Sequence, residues 1–179
     1  MIIYEYTNKM YIARQDLRQI RRIIVADYRE TVDYILGIPL FAQKIGKENL
    51  SSLLCRLGNP EKSIPAVHVA GTNGKGSTCR ALAQMLTGMG YRVGLFISPH
   101  LVSINERIQI DGENISDADF VWAFETVKEK FTQHPSFFEV MFAMAAVYFR
   151  EKKCDFVVYE TGMGGCLLYT SPSPRDSTS

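Results

Sequence analysis

Short apolar runs alternate along the chain with longer segments whose apolar residues recur at helical spacing. Runs of strand length lie at residues 66–69, 92–97 and 155–160, and residues 107–110 alternate polar and apolar positions before an Asp111–Gly112 turn, which predicts a hairpin. Helical spacing is found at residues 28–36, 49–57, 75–89, 116–127 and 137–149. Strands that alternate with helices predict an α/β fold, with a mostly parallel sheet and helices on both faces.

The pattern also predicts which positions are buried. The strand at 66–69 is expected to be buried, and the strand at 155–160 to be central. The helix at 137–149 is apolar almost all round and is predicted to lie in the core. Ser116 is predicted to cap the helix that follows it. The expected apolar faces of three helices are Tyr28, Val32, Ile35 and Leu36; Leu50, Leu53, Leu54 and Leu57; and Phe120, Val121, Phe124 and Val127.

A glycine-rich turn joins the first of these strands to a helix. Glycines let backbone N–H groups turn toward an anion, and the helix N-terminus adds partial positive charge, so this turn predicts a phosphate-binding loop in which Lys75 reaches the outer phosphates. The alternative is a glycine-rich turn that binds nothing. The predicted nucleotide-binding residues are Gly71, Thr72, Asn73, Gly74, Lys75, Gly76, Ser77 and Thr78.

The loop departs from the common pattern G-x-x-x-x-G-K-[ST]. Only two residues separate Gly71 from Gly74, and Gly76 follows Lys75 where a Ser or Thr would ligate magnesium. The missing oxygen therefore comes either from Ser77, one residue later, or from elsewhere in the chain.

Two further polar residues stand at predicted strand ends. Ser98 follows the strand at 92–97, and Glu160 ends the strand at 155–160. Ligands collect beyond the carboxyl ends of parallel strands, so a hydroxyl and a carboxylate are expected beside the phosphate loop. Alternatively, Ser98 only begins a turn before Pro99, and Glu160 accepts N–H bonds from the glycine loop behind it.

Composition bounds the remaining possibilities. A chain of 179 residues with 46% apolar residues can bury one core, and the net charge of +1 gives no basic surface for nucleic acid. No apolar stretch approaches a membrane span, and the start of the chain is polar too early for a secretory signal. The cysteines show neither zinc spacing nor close pairing, so reduced thiols in a cytoplasmic protein are expected.

Four stretches together resemble the folylpolyglutamate synthase and dihydrofolate synthase family, a branch of the Mur ligase superfamily. The resemblance runs from about Tyr28 to Gly165, with the family's order and approximate spacing. The stretches are His68 to Ser77, Ser98 to Leu101 with Glu106 to Ile108, Phe137 to Glu139, and Glu160 to Gly165. The resemblance implies a phosphate-loop, Mur-ligase-like ATPase domain.

It also implies a reaction. ATP phosphorylates the carboxylate of a folate or dihydropteroate, and the amino group of L-glutamate attacks the acyl phosphate to form an amide. Lys75 and Glu160 would be catalytic, with ATP and Mg²⁺ as cofactors and Ser98 and Glu160 as magnesium ligands. The family resemblance further implies a cytoplasmic enzyme, and a monomer is the default expectation.

Other residues are assigned to the substrate side by the same resemblance. Ser136, Phe137, Phe138 and the segment 44–47 match positions bordering a pteroate pocket, and His100 is a packing or pterin-side residue. Phe137 and Phe138 serve equally well as core residues. Glu139 is expected either to act there or to pair with an arginine such as Arg107. His68 is interpreted as a core histidine, and His134 has no expected role.

The resemblance stops after Gly165. Residues 166–179 are rich in Pro, Ser and Thr, and are predicted to be a disordered, foreign tail. Residues 28–165 would then form an incomplete ATP-binding domain, preceded by an unassigned extension at 1–27. This leaves two alternatives to the ligase: an inactive nucleotide-binding fragment, or a phosphate-loop NTPase of another class.

Overall fold

The computed structural model describes residues 27–39, 47–132 and 135–161. The helices are α1 (27–36), α2 (Lys47–Arg56), α3 (Lys75–Gly88), α4 (Asp117–Lys128) and α5 (Phe137–Glu151). The strands are β1 (Ala66–Val69), β2 (Val93–Phe96), β3 (Ile108–Ile110), β4 (Glu113–Asn114) and β5 (Phe156–Glu160). Short 3-10 helices lie at Pro60–Lys62 and Ile104–Arg107.

The strands form one mixed sheet in the order β1-β5-β2-β3-β4. Strand β5 lies between β1 and β2 and is parallel to both, which confirms the prediction of a central strand. Val69 is paired with Glu160, and Phe96 with Tyr159, so the three parallel strands end at the same edge. Strands β3 and β4 continue the sheet as the predicted antiparallel hairpin. Both turn residues, Asp111 and Gly112, have positive φ, as tight hairpin turns require.

Helices cover both faces of the sheet, as predicted. On one face, α3 packs Cys79 and Ala83 against Val93, Leu95 and Val158. On the other face, α5 packs along β5 and β2 together with α1, α2 and α4, and forms the larger core. Every residue of α5 from Val140 to Phe149 is buried, which confirms the prediction for this helix.

Three predicted burial patterns are wrong in detail. Leu36 is 55% exposed, because one helical step past the buried Ile35 carries it off the apolar face. Val121 is only half-buried for the same reason, being one step past Phe120. Strand β1 is partly exposed rather than buried, with Val67 39% exposed, because no described strand pairs with its outer edge.

Several expectations fall on residues that the structure does not describe. These are the extension up to residue 26, the segment 40–46, His134, the glycine loop 162–165 and the tail 166–179. Within the described ranges, no helix has the length and apolar character to cross a membrane.

Candidate nucleotide-binding site

The phosphate loop is built by the transition from β1 to α3. Helix α3 begins at Lys75, and Gly74 caps it with φ 75° and ψ 3°, a left-handed conformation that favours glycine. Thr78 closes the first turn, since its N–H and its hydroxyl both donate to the Gly74 carbonyl at 3.0 Å. Residues 70–74 are exposed, which leaves the loop open to a ligand at a helix N-terminus.

Lys75 folds back over this loop. Its Nζ lies 3.4 Å from the carbonyl oxygen of Thr72, within reach of a weak hydrogen bond. The side chain therefore stands over the exposed loop residues, as a phosphate-binding lysine would.

Glu160 joins the second and third strand ends to this loop. Its side chain is 5% exposed, and its Oε2 accepts the Ser98 N–H at 2.8 Å. The same oxygen lies 3.6 Å from the position that a Cβ on Gly76 would occupy. The start of α3, the end of β2 and the end of β5 therefore meet at one carboxylate, as the rule for the carboxyl ends of parallel strands predicted.

Thr161 fixes the strand ends against each other. Its N–H and its hydroxyl donate to the Val69 carbonyl at 3.0 and 2.9 Å, respectively. The carboxylate of Glu160 is thus carried by backbone that is tied directly to the start of the phosphate loop.

The charges at this site act on their neighbours. Burial, together with the charge of Glu160, raises the pKa of the Cys79 thiol to about 11, while the charge of Lys75 opposes the rise. Burial lowers the pKa of the Arg107 guanidinium, and the charge of Glu160 opposes that shift. The pKa shifts of these two groups place Glu160 and Lys75 in one electrostatic environment at the first turn of α3.

Arg107 links His100 to the start of α5. Its Nε donates to His100 Nδ1 at 2.8 Å, and its guanidinium carbon lies 4.9 Å from the centre of the Phe137 ring. Burial lowers the pKa of His100, and the charge of Arg107 lowers it further, which favours the neutral ring that this bond requires. His100 is therefore held in place as a hydrogen-bond acceptor beside Ser98.

The expected pairing of Glu139 with Arg107 is wrong. Glu139 Oε2 accepts the N–H and the hydroxyl of Ser136 at 2.7 and 2.9 Å, which completes a capping box at the start of α5. Glu139 bonds to Ser136 rather than to Arg107 because Ser136 lies three residues earlier on the same helical turn. Ser136 itself is buried and serves as the N-cap.

The two phenylalanines and His68 lie where the core interpretation puts them. Phe137 is 5% exposed, and the partly buried Phe138 packs edge-on against Phe96 at 5.9 Å. The half-buried His68 stacks on Tyr159 with ring centres 5.3 Å apart. Phe138 is only partly buried and follows Phe137, the residue whose ring the Arg107 guanidinium contacts.

The donor set suits a magnesium ion held together with phosphates. No group of three His, Cys, Asp or Glu side chains that could hold a metal occurs among the described residues. Magnesium prefers oxygen and is usually bound through one or two protein groups and the substrate phosphates, rather than by an all-protein cage. Glu160 and Ser98 offer a carboxylate and a hydroxyl at adjoining strand ends, and Ser77 is exposed on the first turn of α3.

Known proteins share this sequence and fold. No family model matches the chain. A dihydrofolate synthase/folylpolyglutamate synthase from Bacillus subtilis is 44% identical over 146 residues, which cover 77% of this chain and 34% of that protein. The chain belongs to the folylpolyglutamate synthase and dihydrofolate synthase family over the residues that align.

Solved structures of this family agree with that assignment. The Mycobacterium tuberculosis folylpolyglutamate synthase complexed with ADP superimposes with a TM-score of 0.74 at 33% identity, over 79% of this chain and 33% of that one. An FPGS–AMPPCP–folate complex gives 0.74 at 39% identity, over 78% and 36%. The chain therefore spans about a third of the length of the relatives it matches.

Sequence reasoning missed the contacts of two residues quoted in the resemblance: Glu106 had no expected role, and Arg107 was considered only as a partner of Glu139. Glu106 accepts three backbone N–H groups, and Arg107 contacts His100 and Phe137. A local signal for the first was present, because Ser103 followed three residues later by Glu106 is a capping-box pattern. No local signal points to the contacts of Arg107, since they depend on how α5 packs.

Proposed function

We propose that this chain is the nucleotide-binding part of an ATP-dependent ligase that adds glutamate to the carboxylate of a folate or dihydropteroate. The observation that supports this most strongly is the meeting of three strand-end segments at Glu160 Oε2, 2.8 Å from the Ser98 nitrogen and 3.6 Å from a Cβ on Gly76. An open phosphate loop, a lysine and hard oxygen donors are the parts that phosphoryl transfer to a carboxylate requires.

The exposed loop residues and the α3 N-terminus would hold the phosphates. The backbone N–H groups of Gly71 to Ser77 would supply neutral donors, whereas the N–H and the hydroxyl of Thr78 donate to Gly74 and close the first helical turn. The ammonium group of Lys75 would offset charge on the outer phosphates. Ser98 and Glu160, with Ser77 as a further candidate, would hold Mg²⁺, which neutralises phosphoryl charge when bound. No side-chain nucleophile is needed, because the chemistry rests on positioning and charge.

The acceptor side is proposed to lie between His100 and the start of α5. Arg107 places the His100 ring and the Phe137 ring on the same guanidinium, so these residues border one region with Ser136 and Phe138. A folate or dihydropteroate would bring its carboxylate from this side toward the phosphates. L-Glutamate as the amine, a monomeric state and a cytoplasmic location complete the proposal.

Nucleotide binding by the full chain tests the first step. Calorimetric titration with AMPPCP and Mg²⁺ is expected to show binding that falls by about 10- to 100-fold in Lys75→Ala, since hydrogen bonds to charged groups contribute about 1.5–3 kcal/mol. Lys62→Ala is the matched control, because this exposed lysine precedes β1 and so lies at the opposite edge of the sheet. A wild-type chain that does not bind AMPPCP, or equal binding by Lys75→Ala, would contradict the proposal.

Nucleotide binding without turnover is a second candidate function, because the open phosphate loop and Lys75 can by themselves hold the phosphates of a nucleotide. Stimulation of ATP hydrolysis by pteroate together with glutamate distinguishes the two. Stimulation supports the ligase, whereas AMPPCP binding with no stimulated turnover supports the binding function alone.

A further inference from the structure

The loop at residues 98–103, here the Ser98 loop, is held by a carboxylate at each end. At its start, the Ser98 N–H donates to Glu160. At its end, Glu106 accepts three successive backbone N–H groups: Leu101 through Oε2 at 2.8 Å, Val102 through Oε1 at 2.9 Å and Ser103 through Oε1 at 2.8 Å.

Only one of the three bonds to Glu106 belongs to the helix cap. A capping box needs the bond from the Ser103 N–H to the residue three positions later, and the Ser103 hydroxyl in return. The bonds from Leu101 and Val102 lie before the cap and do nothing for the 3-10 helix that follows. They fix the loop instead.

Side-chain packing does not explain the position of this part of the loop. Leu101 is 86% exposed and Val102 is 92% exposed, so burial of apolar surface contributes almost nothing there. The bonds from the Leu101 and Val102 N–H groups to the Glu106 carboxylate are charge-assisted, and they hold this exposed stretch in place. Earlier in the loop, between Ser98 and Leu101, His100 accepts a separate hydrogen bond from Arg107.

We propose that Glu106 is a positioning residue for the nucleotide site: by holding the backbone at 101–103 it keeps Ser98, whose N–H donates to Glu160, beside that carboxylate. The proposal rests on the proposed function, because it assigns Glu106 a role in presenting the magnesium ligands. Glu106 would touch neither nucleotide nor metal, and would act only through the Ser98 loop.

Amide hydrogen exchange, followed by NMR on the full chain without ligand, tests whether Glu106 holds the backbone of the Ser98 loop. In Glu106→Ala, exchange at Leu101, Val102 and Ser103 is expected to accelerate about tenfold or more, with faster exchange at Ser98 as well. Glu106→Gln should fall between the two, because it keeps one of the two acceptor oxygens. Glu113→Ala, an exposed glutamate on β4, should leave all four amides unchanged.

The exchange pattern decides the proposal whether or not the chain binds nucleotide. Faster exchange at 101–103 with Ser98 unchanged would make Glu106 a local cap and overturn its positioning role. Unchanged exchange at all four amides would show that the bonds to Glu106 do not hold the backbone at 101–103, and would also overturn the proposal. If Glu106→Ala does not fold, exchange at the same four amides is compared between Glu106→Gln and wild type, and the same outcomes decide the proposal.

AMPPCP titrations with Mg²⁺ and with EDTA test the functional part. Glu106→Ala should lose most of the affinity gained by adding Mg²⁺, about fivefold or more, while binding in EDTA stays at the wild-type level because the phosphate loop does not contact Glu106. An equal loss under both conditions, or no loss under either, would overturn the proposal. A wild-type chain that binds no AMPPCP contradicts the proposed function instead. The exchange experiment then still decides whether Glu106 holds the Ser98 loop.

Discussion

Gly94 of strand β2 lies against Phe149 of the buried helix α5. A Cβ added to it would stand 2.7, 2.8 and 3.0 Å from three carbons of the Phe149 ring, closer than real Cβ contacts come. Phe149 is fully buried, and its ring lies about 6.2 Å from that of Tyr159, so it has no open space to enter. Gly94→Ala therefore forces either the ring or β2 to shift. Overpacking of this kind costs about 1–3 kcal/mol.

Urea and thermal unfolding of the full chain measure this cost. For a chain of this size each kcal/mol shifts Tm by about 2–4 °C, so Gly94→Ala should lower Tm by about 2–12 °C. Gly88→Ala is the matched control, because Gly88 is helical in α3 and its Cβ would meet nothing within 4 Å. This control should gain about 0.5–1 kcal/mol from helix propensity. Wild-type stability in Gly94→Ala, or an equal loss in both variants, would refute the packing argument.

Two further predictions use groups away from the phosphate loop. Burial raises the pKa of Cys79 to about 11 and that of Cys154 to about 12, while Cys55 is exposed. A maleimide at pH 8 should therefore label Cys55 faster than Cys79 and Cys154 when peptides are analysed by mass spectrometry, and equal rates at these three sites would contradict this. Burial also raises the pKa of Glu61, and its Oε2 has no hydrogen-bond partner among the described residues. As pH rises, the Glu61 carboxyl ionises at a lower pH in the unfolded chain than in the folded one, so the free energy of unfolding should fall between the unfolded pKa and the raised folded pKa. Glu61→Gln should therefore be more stable than wild type at pH 7, while Glu113→Gln, at an exposed position, should leave the stability unchanged. A destabilised Glu61→Gln would contradict this.

The sequence predicted the features that have strong local signals. The glycines before Lys75 mark a turn from strand to helix, and the apolar residues before Glu160 are typical of a strand buried on both faces, which β5 is. The meeting of Glu160 with Ser98 followed from the rule for parallel strand ends. None of these required knowledge of side-chain packing.

The errors arose where one-residue steps or competing partners decide the outcome. Leu36 and Val121 each lie a single helical step beyond a buried residue, and apolar spacing over a short segment does not resolve that step. Glu139 had two possible partners, and the one on its own helical turn was nearer than the arginine. The exposure of β1 could not be predicted, since it depends on the strand order at the sheet edge.

The strand order also accounts for the oxygen that is absent after the loop lysine. In the common phosphate loop a hydroxyl would project from residue 76, and here Glu160 Oε2 lies 3.6 Å from the Cβ position of that residue. It does so because β5 is inserted between β1 and β2 and pairs Glu160 with Val69, the last residue before the loop. A carboxylate from the central strand thus occupies the region that the hydroxyl would have reached. Under the proposed function, the loop can do without a serine at residue 76 because the neighbouring strand supplies a stronger, charged oxygen at the same place.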